Sequence, residues 1–141
     1  MKRAGAYTFI AFLFAVFTGP IAARAEDIDC NDIERLLDAI ARLESESNPD
    51  AVGDSGRAIG MYQIHRRYWR DGMRILNVKW DYNLAFDAQK SRQVVKAYLL
   101  YYGRGKSLLD MARIHNGGPK GYKKKATLAY ALRIAEILYR E

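Results

Sequence analysis

Residues 33–64 most constrain how this chain folds, because they begin as an amphipathic helix and then break into a glycine-rich turn. Apolar residues recur in the helix at the offsets of one face; they are Ile33, Leu36, Leu37, Ile40 and Ala41. A residue before proline disfavours helical geometry, so we expect the helix to end ahead of Asn48-Pro49. The glycines between Gly53 and Gly60 then predict a turn or a small hairpin.

Glu44 lies on the apolar stripe of this helix, four residues after Ile40. Burial in an apolar wall disfavours the charged form of a carboxyl group and raises its pKa. The negative end of the helix dipole acts in the same direction at the last turn. A raised pKa suits a general acid, whereas a frayed helix end would leave Glu44 simply solvated. Spacing alone leaves both interpretations open.

Four further segments have helical spacing, and no segment alternates convincingly with a period of two residues. These predicted helices are 61–70, 87–102, 107–115 and 126–139. The last is apolar nearly all round, which predicts a helix buried in the centre of the domain. Asn31 and Glu34 have the spacing of a capping box that opens the first helix. The sequence therefore indicates a mainly α fold with about five helices and a small turn or hairpin region.

Residues 71–86 have no clear periodicity. The aromatic side chains in or beside this segment are Trp69, Trp80 and Tyr82. We expect them to line a groove.

Residues 1–25 have the three parts of a secretory signal peptide. Lys2 and Arg3 are basic, residues 6–18 are apolar, and Ala23-Arg24-Ala25 offers a cleavage site. The competing interpretation is a membrane anchor, but a spanning helix needs about 20 apolar residues. Cleavage would leave a domain at 26–141, which we expect to be periplasmic or secreted and not inserted in a membrane.

The mature chain is basic and has a single cysteine. Removing the leader's Lys2, Arg3 and Arg24 from the 23 basic residues leaves 20, against 16 acidic ones, a net charge of +4. This charge suits an anionic polymer as partner, or it simply keeps the surface soluble. Cys30 is either idle or pairs between chains, because no second cysteine exists. We expect a monomer.

Other kinds of site fit the sequence poorly. Gly53-Asp54-Ser55-Gly56 resembles a serine-protease nucleophile loop, but the chain is too short and too helical for that scaffold. The same segment lacks the spacing of a phosphate-binding loop. His65 and His115 lack the spacing of a metal site, and the lysines in 120–125 lack a row of stacking aromatics for nucleic acid. We therefore expect no metal, cofactor or nucleic-acid partner.

Several motifs occur in the order found in a known superfamily. Glu44-Ser45-x-x-Asn48-Pro49-x-Ala51, then Gly56, Ala58, Gly60, Gln63 and Ile64, resemble the signature of lytic transglycosylases and goose-type lysozymes. Residues 112–121, ARIHNGGPKG, followed by Thr127 and Tyr130, resemble invertebrate-type (destabilase) lysozymes still more closely. The resemblance covers roughly residues 33–134 and implies a lysozyme-like α-domain, here without that branch's many disulfides.

The resemblance implies cleavage of the β-1,4 bond between N-acetylmuramic acid and N-acetylglucosamine in peptidoglycan. It implies Glu44 as the catalytic acid. Asp54 is the nearest match to the family's second carboxylate and Asp50 a weaker one, but neither has the family spacing. The implied substrate-binding residues are Ser45, Tyr62, Gln63, His115, Asn116 and Tyr130.

Three alternatives to a hydrolase remain at this point. Without a second carboxylate, the muramic 6-hydroxyl would attack and give 1,6-anhydro products, as in lytic transglycosylases. A glycan-binding protein that has the fold but no activity is the second alternative. The third is a membrane-active basic helical protein that has no substrate.

Overall fold

The computed structural model describes residues 29–140, which form five α-helices and a small three-stranded sheet. The helices are α1 (Cys30–Ser45), α2 (Arg66–Leu76), α3 (Ala88–Tyr102), α4 (Leu108–Gly117) and α5 (Leu128–Tyr139). The strands are β1 (Val52–Gly53), β2 (Ala58–Ile59) and β3 (Ile64–His65). The predicted mainly α fold with a small hairpin region is confirmed. The predicted signal peptide at 1–25 lies outside the described residues.

Helix α1 is capped by Asp29, whose carboxylate accepts a hydrogen bond from the backbone N–H of Asp32 at 2.8 Å. The predicted cap at Asn31 was therefore wrong, because Asp29 supplies the same acceptor two residues earlier. The helix ends at Ser45, and Glu46 takes a left-handed conformation with φ of 55°. All five residues of the predicted apolar stripe are buried, so the last turn places Glu44 at the edge of the core.

The glycine-rich turn is an antiparallel sheet with the strand order β1–β2–β3. Ile59 in its central strand pairs with Val52 on one side and with Ile64 on the other. Gly60 follows with φ of +77°, and a Cβ at this position would lie 2.0 Å from the carbonyl oxygen of Ala85. Glycine is therefore needed here both for the backbone conformation and for the close approach of the two segments.

Helix α2 begins later than predicted, because residues 61–65 form a turn and β3. It continues to Leu76 through a segment that was predicted to be irregular. Trp69 is buried, and its indole N–H donates to the carbonyl oxygen of Trp80 at 3.4 Å. Trp80 and Tyr82 are partly buried and pack against the core. The prediction that these three aromatic residues line a groove was wrong, because they pack against one another and the core.

Helices α3 and α4 each begin one residue after the predicted start, because Asp87 and Ser107 are their caps. Asp87 accepts hydrogen bonds from the first turn of α3, and Ser107 does the same for α4. Helix α3 is joined to α1 by Arg92, which donates to the carboxylates of Glu34 and Asp38. These contacts hold the long helices together on the side where their charged residues meet.

Helix α5 is buried along one face only. Ala131, Ile134 and Leu138 are in the core, whereas Leu132 is 67% exposed and Leu128 also lies in solvent. The prediction of a fully buried central helix was therefore wrong. The sequence could not distinguish the two faces, because both are rich in apolar residues.

No helix within residues 29–140 is long and apolar enough to span a membrane. Cys30 is the first residue of α1, where its free thiol is exposed. Pairing of this thiol between chains and the expected monomer both stay predictions.

Candidate active site

A cleft of about 790 Å³ is lined by residues of α1, the small sheet and its turn, α2, α3, the end of α4 and the segment that follows α4. Its lining from the first half of the chain is Glu44, Asp54, Ala58, Gln63, His65, Arg67, Tyr68 and Asp71. The second half contributes Tyr98, His115, Asn116, Gly117, Gly118, Pro119, Lys120 and Lys124. Both predicted carboxylates, Glu44 and Asp54, thus lie in the same cleft.

Glu44 projects from the last turn of α1, and its side chain is 21% exposed. The hydroxyl of Tyr130 on α5 donates to Glu44 Oε1 at 2.8 Å. His115 Nε2 on α4 lies 3.6 Å from the same oxygen. Three helices therefore converge on one carboxylate, and the two predicted residues His115 and Tyr130 both contact it.

His115 is held between Glu44 and Tyr68. Its side chain is only 5% exposed, and its Nδ1 lies 3.2 Å from the Tyr68 hydroxyl. The ring of Tyr68 stacks on that of Tyr98, with 3.8 Å between their centroids. Since the opposite ring nitrogen faces Glu44, the imidazole connects Tyr68 to the carboxylate through both of its nitrogens.

The surroundings of Glu44 have opposing effects on its protonation. Burial raises the pKa of Glu44, as predicted from the sequence. Burial is the largest single effect, but the hydrogen bond and charge of His115, the Tyr130 hydroxyl and the Arg133 charge together outweigh it, so the pKa of Glu44 lies below its ordinary value. The predicted net rise was therefore wrong, because these groups come from helices far along the chain.

Tyr68 and Tyr130, which lie beside His115 and Glu44, remain protonated. Burial raises the pKa of Tyr68 well above its ordinary value. Burial also raises the pKa of Tyr130, and the negative charge of Glu44 raises it further. Both hydroxyls are consequently available as hydrogen-bond donors at neutral and acidic pH.

Asp54 lies in the turn between β1 and β2, where its backbone has a φ of +48°. Its carboxylate lies 2.6 Å from the guanidinium of Arg57 and 3.5 Å from His65 Nε2. The Asp54 side chain is 41% exposed, about twice the fraction for Glu44. Asp54 is therefore the more solvent-exposed of the two carboxylates.

Gln63 and Asn116 both lie in the lining of the cleft. The Gln63 amide donates to the carbonyl oxygen of Gly60 at 3.0 Å and packs so closely that a Cβ on Gly53 would lie 2.1 Å from its Oε1. Its backbone has a φ of +47°. Asn116 is exposed at the end of α4, where its amide is available to a ligand.

Ser45 and Tyr62 are not in the cleft lining. The Ser45 hydroxyl donates to the carbonyl oxygen of Met61 at 2.9 Å, which ties the end of α1 to the sheet. Tyr62 is fully buried, and its hydroxyl accepts a hydrogen bond from Arg92. This placement contradicts the predicted substrate contact by Tyr62, because a side chain within the core has no surface to offer.

Tyr68 is the main residue of this site that the sequence did not reveal. Its place on one side of α2 was visible from helical spacing, but nothing local indicated its contact with His115. Arg133 was missed for the same reason, since it acts on Glu44 from α5.

The part of the chain that the structure describes contains no group of three or more His, Cys, Asp or Glu side chains able to hold a metal ion. His65 is beside Asp54, and His115 is beside Glu44 and Tyr68. Each histidine is thus engaged separately.

A sequence model of the family described as Destabilase matches residues 33–137. The chain belongs to the destabilase family. Relatives of this family member include the lysozyme of Ostrea edulis, 39% identical in an alignment 82 positions long that covers 53% of this chain and 58% of the relative. Invertebrate-type lysozyme 6 of Caenorhabditis elegans is 33% identical in an alignment 109 positions long that covers 67% of this chain and 78% of the relative. The chain thus spans less than two thirds of the oyster lysozyme's length.

Two solved structures show that this destabilase-family chain has a lysozyme-like fold. The inhibitor-bound lysozyme of Meretrix lusoria superposes with a TM-score of 0.63 at 32% identity, covering 74% of this chain and 88% of that one. The lysozyme of Tapes japonica superposes with a TM-score of 0.62 at 27% identity, covering 74% and 89%. The predicted family and fold are confirmed, and they support a glycoside hydrolase.

Proposed function

We propose that this chain is a lysozyme that hydrolyses the β-1,4 bond between N-acetylmuramic acid and N-acetylglucosamine in peptidoglycan. The observation that carries the proposal is the pair Glu44 and Asp54, two carboxylates in one cleft with different surroundings. Glycosidases use such a pair for two different tasks. Membership of a family with relatives named lysozyme supports the same reaction.

Glu44 acts as the general acid. Its proton passes to the glycosidic oxygen while the bond from that oxygen to C1 of N-acetylmuramic acid breaks. The N-acetylglucosamine then leaves with a free 4-hydroxyl, and positive charge develops on the remaining sugar ring. The short contact from Tyr130 and the neighbouring His115 keep the carboxyl group in one orientation for this transfer.

The acid must be protonated, although the pKa of free Glu44 lies below its ordinary value. Sugar rings in the cleft exclude water from the part of Glu44 that is still exposed, and this desolvation raises the pKa of the carboxyl group. We therefore expect activity to be higher at acidic pH than at neutral pH, since fewer molecules carry the proton as the pH rises.

Asp54 acts as the nucleophile on the other face of the sugar. The Asp54 carboxylate lies beside the Arg57 guanidinium, and one of its oxygens bonds to C1 as the leaving group departs. Water then attacks C1, gives its proton to Glu44 and releases Asp54 as a carboxylate. The second displacement reverses the first, so the product keeps the β configuration.

Tyr68 and His115 position the acid. The Tyr68 hydroxyl lies beside His115 Nδ1, and this contact holds the imidazole with its Nε2 facing Glu44. Gln63 and Asn116 contact the acetamido and muramic groups of the substrate. Ser45 contributes by holding the end of α1 against the sheet, and Tyr62 contributes only to the core.

The predicted signal peptide and the cell-wall substrate support a periplasmic or secreted location. We propose that the functional unit is the mature domain at 26–141.

Mass spectrometry of the muropeptides released from purified peptidoglycan tests the proposed reaction. A hydrolase gives fragments that end in reducing N-acetylmuramic acid. Fragments lighter by one water, with 1,6-anhydro ends, would instead identify a lytic transglycosylase. Binding without any release would leave a glycan-binding protein, and killing of bacteria without either would favour a membrane-active protein.

A further inference from the structure

The basic loop, defined as residues 120–125, has four lysines, and only two of them line the cleft. Lys120 and Lys124 belong to the cleft lining, whereas Lys123 and Lys125 are exposed outside it. The ammonium group of Lys124 donates to the carbonyl oxygen of Gly117 at 2.6 Å, which holds it beside the segment that follows His115. The positive charge of Lys124 is thus held next to the end of α4, close to His115.

These lysines have no acidic partner within residues 29–140, since none of the ion pairs there includes one of them. Arg92 and Lys96, by contrast, pair with Glu34, and Arg113 pairs with Asp110. The mouth of the cleft at Lys120 and Lys124 therefore carries positive charge that the described part of the protein leaves uncompensated.

An uncompensated cation in a cleft attracts an anion on the ligand. The sugars of a peptidoglycan strand are neutral once the lactyl group of N-acetylmuramic acid is joined to its peptide by an amide bond. The ionised carboxylates of this polymer therefore lie on the short acidic peptides attached to the strand. Glycan hydroxyl and acetamido groups do not need a pair of ammonium groups.

We propose that Lys120 and Lys124 form a subsite for the carboxylates of the peptides attached to the glycan, so that the enzyme prefers peptide-bearing strands. This inference rests on the proposed function and deepens it, because it names which form of the polymer the cleft selects. Both ammonium groups are solvent-exposed, so each contact contributes modestly and weakens with salt.

The test measures binding, so that the effect of the two lysines is observed independently of cleavage. Soluble glycan strands are prepared with their peptides intact. A second sample is stripped of peptides by an amidase, and the lactyl carboxylates that this reaction frees are then converted to neutral methylamides with a carbodiimide. Binding to both samples is measured by titration at low salt with Glu44→Gln as the background, so that no strand is cleaved. The tested variant adds Lys120→Gln and Lys124→Gln, and the matched control adds Lys123→Gln and Lys125→Gln.

We expect the tested variant to bind peptide-bearing strands roughly fivefold more weakly than the background, the size of two exposed ion pairs. Stripped strands should bind equally well to all three proteins, and the control should lose less than about twofold on either sample. Lys120→Arg with Lys124→Arg should restore binding, because the charge is kept. Thermal unfolding confirms that each variant is folded.

An equal loss in the control would overturn the inference, because general charge would then explain the binding. So would an equal loss on stripped strands, or no loss at all. These results leave the proposed function intact if the wild-type chain still releases reducing muropeptides. Failure of the wild-type chain to bind or cleave either sample would overturn both.

Discussion

The two carboxylates of the cleft differ in the elements that hold them and in their exposure to solvent. Glu44 sits at the end of a long helix, and its partners His115 and Tyr130 come from two other helices. Asp54 sits in a tight turn of a small sheet, and its partners Arg57 and His65 are close in sequence and exposed. In the proposed mechanism, the group that gains and loses a proton is thus embedded among helices, whereas the group that attacks the sugar as a carboxylate is more exposed.

Replacing the embedded carboxylate should have the largest effect. Glu44→Gln keeps the shape and an acceptor for Tyr130 but removes the proton that the leaving group needs. We expect kcat on peptidoglycan to fall about 10³-fold, since general acids typically contribute 10²–10⁴-fold. Glu46→Gln, two residues further on and exposed, is the control and should retain activity. Similar losses in both variants would show that the fold, and not the acid, had been disturbed.

Replacing the exposed carboxylate should have the next largest effect. Asp54→Asn removes the proposed nucleophile together with its negative charge. We expect a loss on the order of 10²-fold in kcat, because the positive charge that develops on the sugar also loses its stabilisation. Asp50→Asn is the matched control, because Asp50 is exposed nearby and does not line the cleft. If Asp50→Asn were the more damaging change in the same assay, Asp50 would be the second carboxylate.

The contrast between the two sites also predicts different responses to pH. His115 lowers the pKa of Glu44, so His115→Gln should raise that pKa. The acid would then keep its proton to a higher pH, and the alkaline limb of the kcat/KM profile should shift to higher pH. His65→Gln removes the histidine beside Asp54 and should leave that limb in place. A downward shift in His115→Gln would contradict the assigned role.

The smallest effect concerns the orientation of the imidazole. Tyr68→Phe keeps the stacking on Tyr98 but removes the hydroxyl beside His115 Nδ1. We expect kcat to fall about fivefold with KM unchanged, because one neutral hydrogen bond is lost. Nitrogen chemical shifts of His115 should change in this variant, because Nδ1 loses its hydrogen-bond partner. Tyr101→Phe, on the exposed side of α3, should change neither quantity.

Features that depend on neighbouring residues were predictable from the sequence. The apolar stripe of α1, the starts of α3 and α4 to within one residue, and the glycine hairpin are encoded within a few residues of one another. The motifs around Glu44 and His115 are likewise local, and they indicated residues on both walls of the cleft.

Features that depend on contacts between helices were not predictable. The pKa of Glu44 is decided by α4 and α5, and the exposed face of α5 looks as apolar as its buried face. Tyr62 and Gln63 are neighbours in the chain, yet the positive φ at Gln63 turns one toward the core and the other toward the cleft. The pattern of a single sequence does not show where the backbone takes such a conformation, and so does not show which way neighbouring side chains point.

Azide rescue assigns the two roles most directly. With an aryl β-glycoside of the substrate sugar, whose leaving group needs no proton, Glu44→Ala still forms the Asp54 ester, and azide then displaces it. Two inversions at C1 give a β-glycosyl azide. In Asp54→Ala, azide attacks from the face that Asp54 leaves open, and one inversion gives the α-glycosyl azide. We predict β for Glu44→Ala and α for Asp54→Ala. The reverse pattern, or rescue of neither variant, would contradict the assignment of acid and nucleophile.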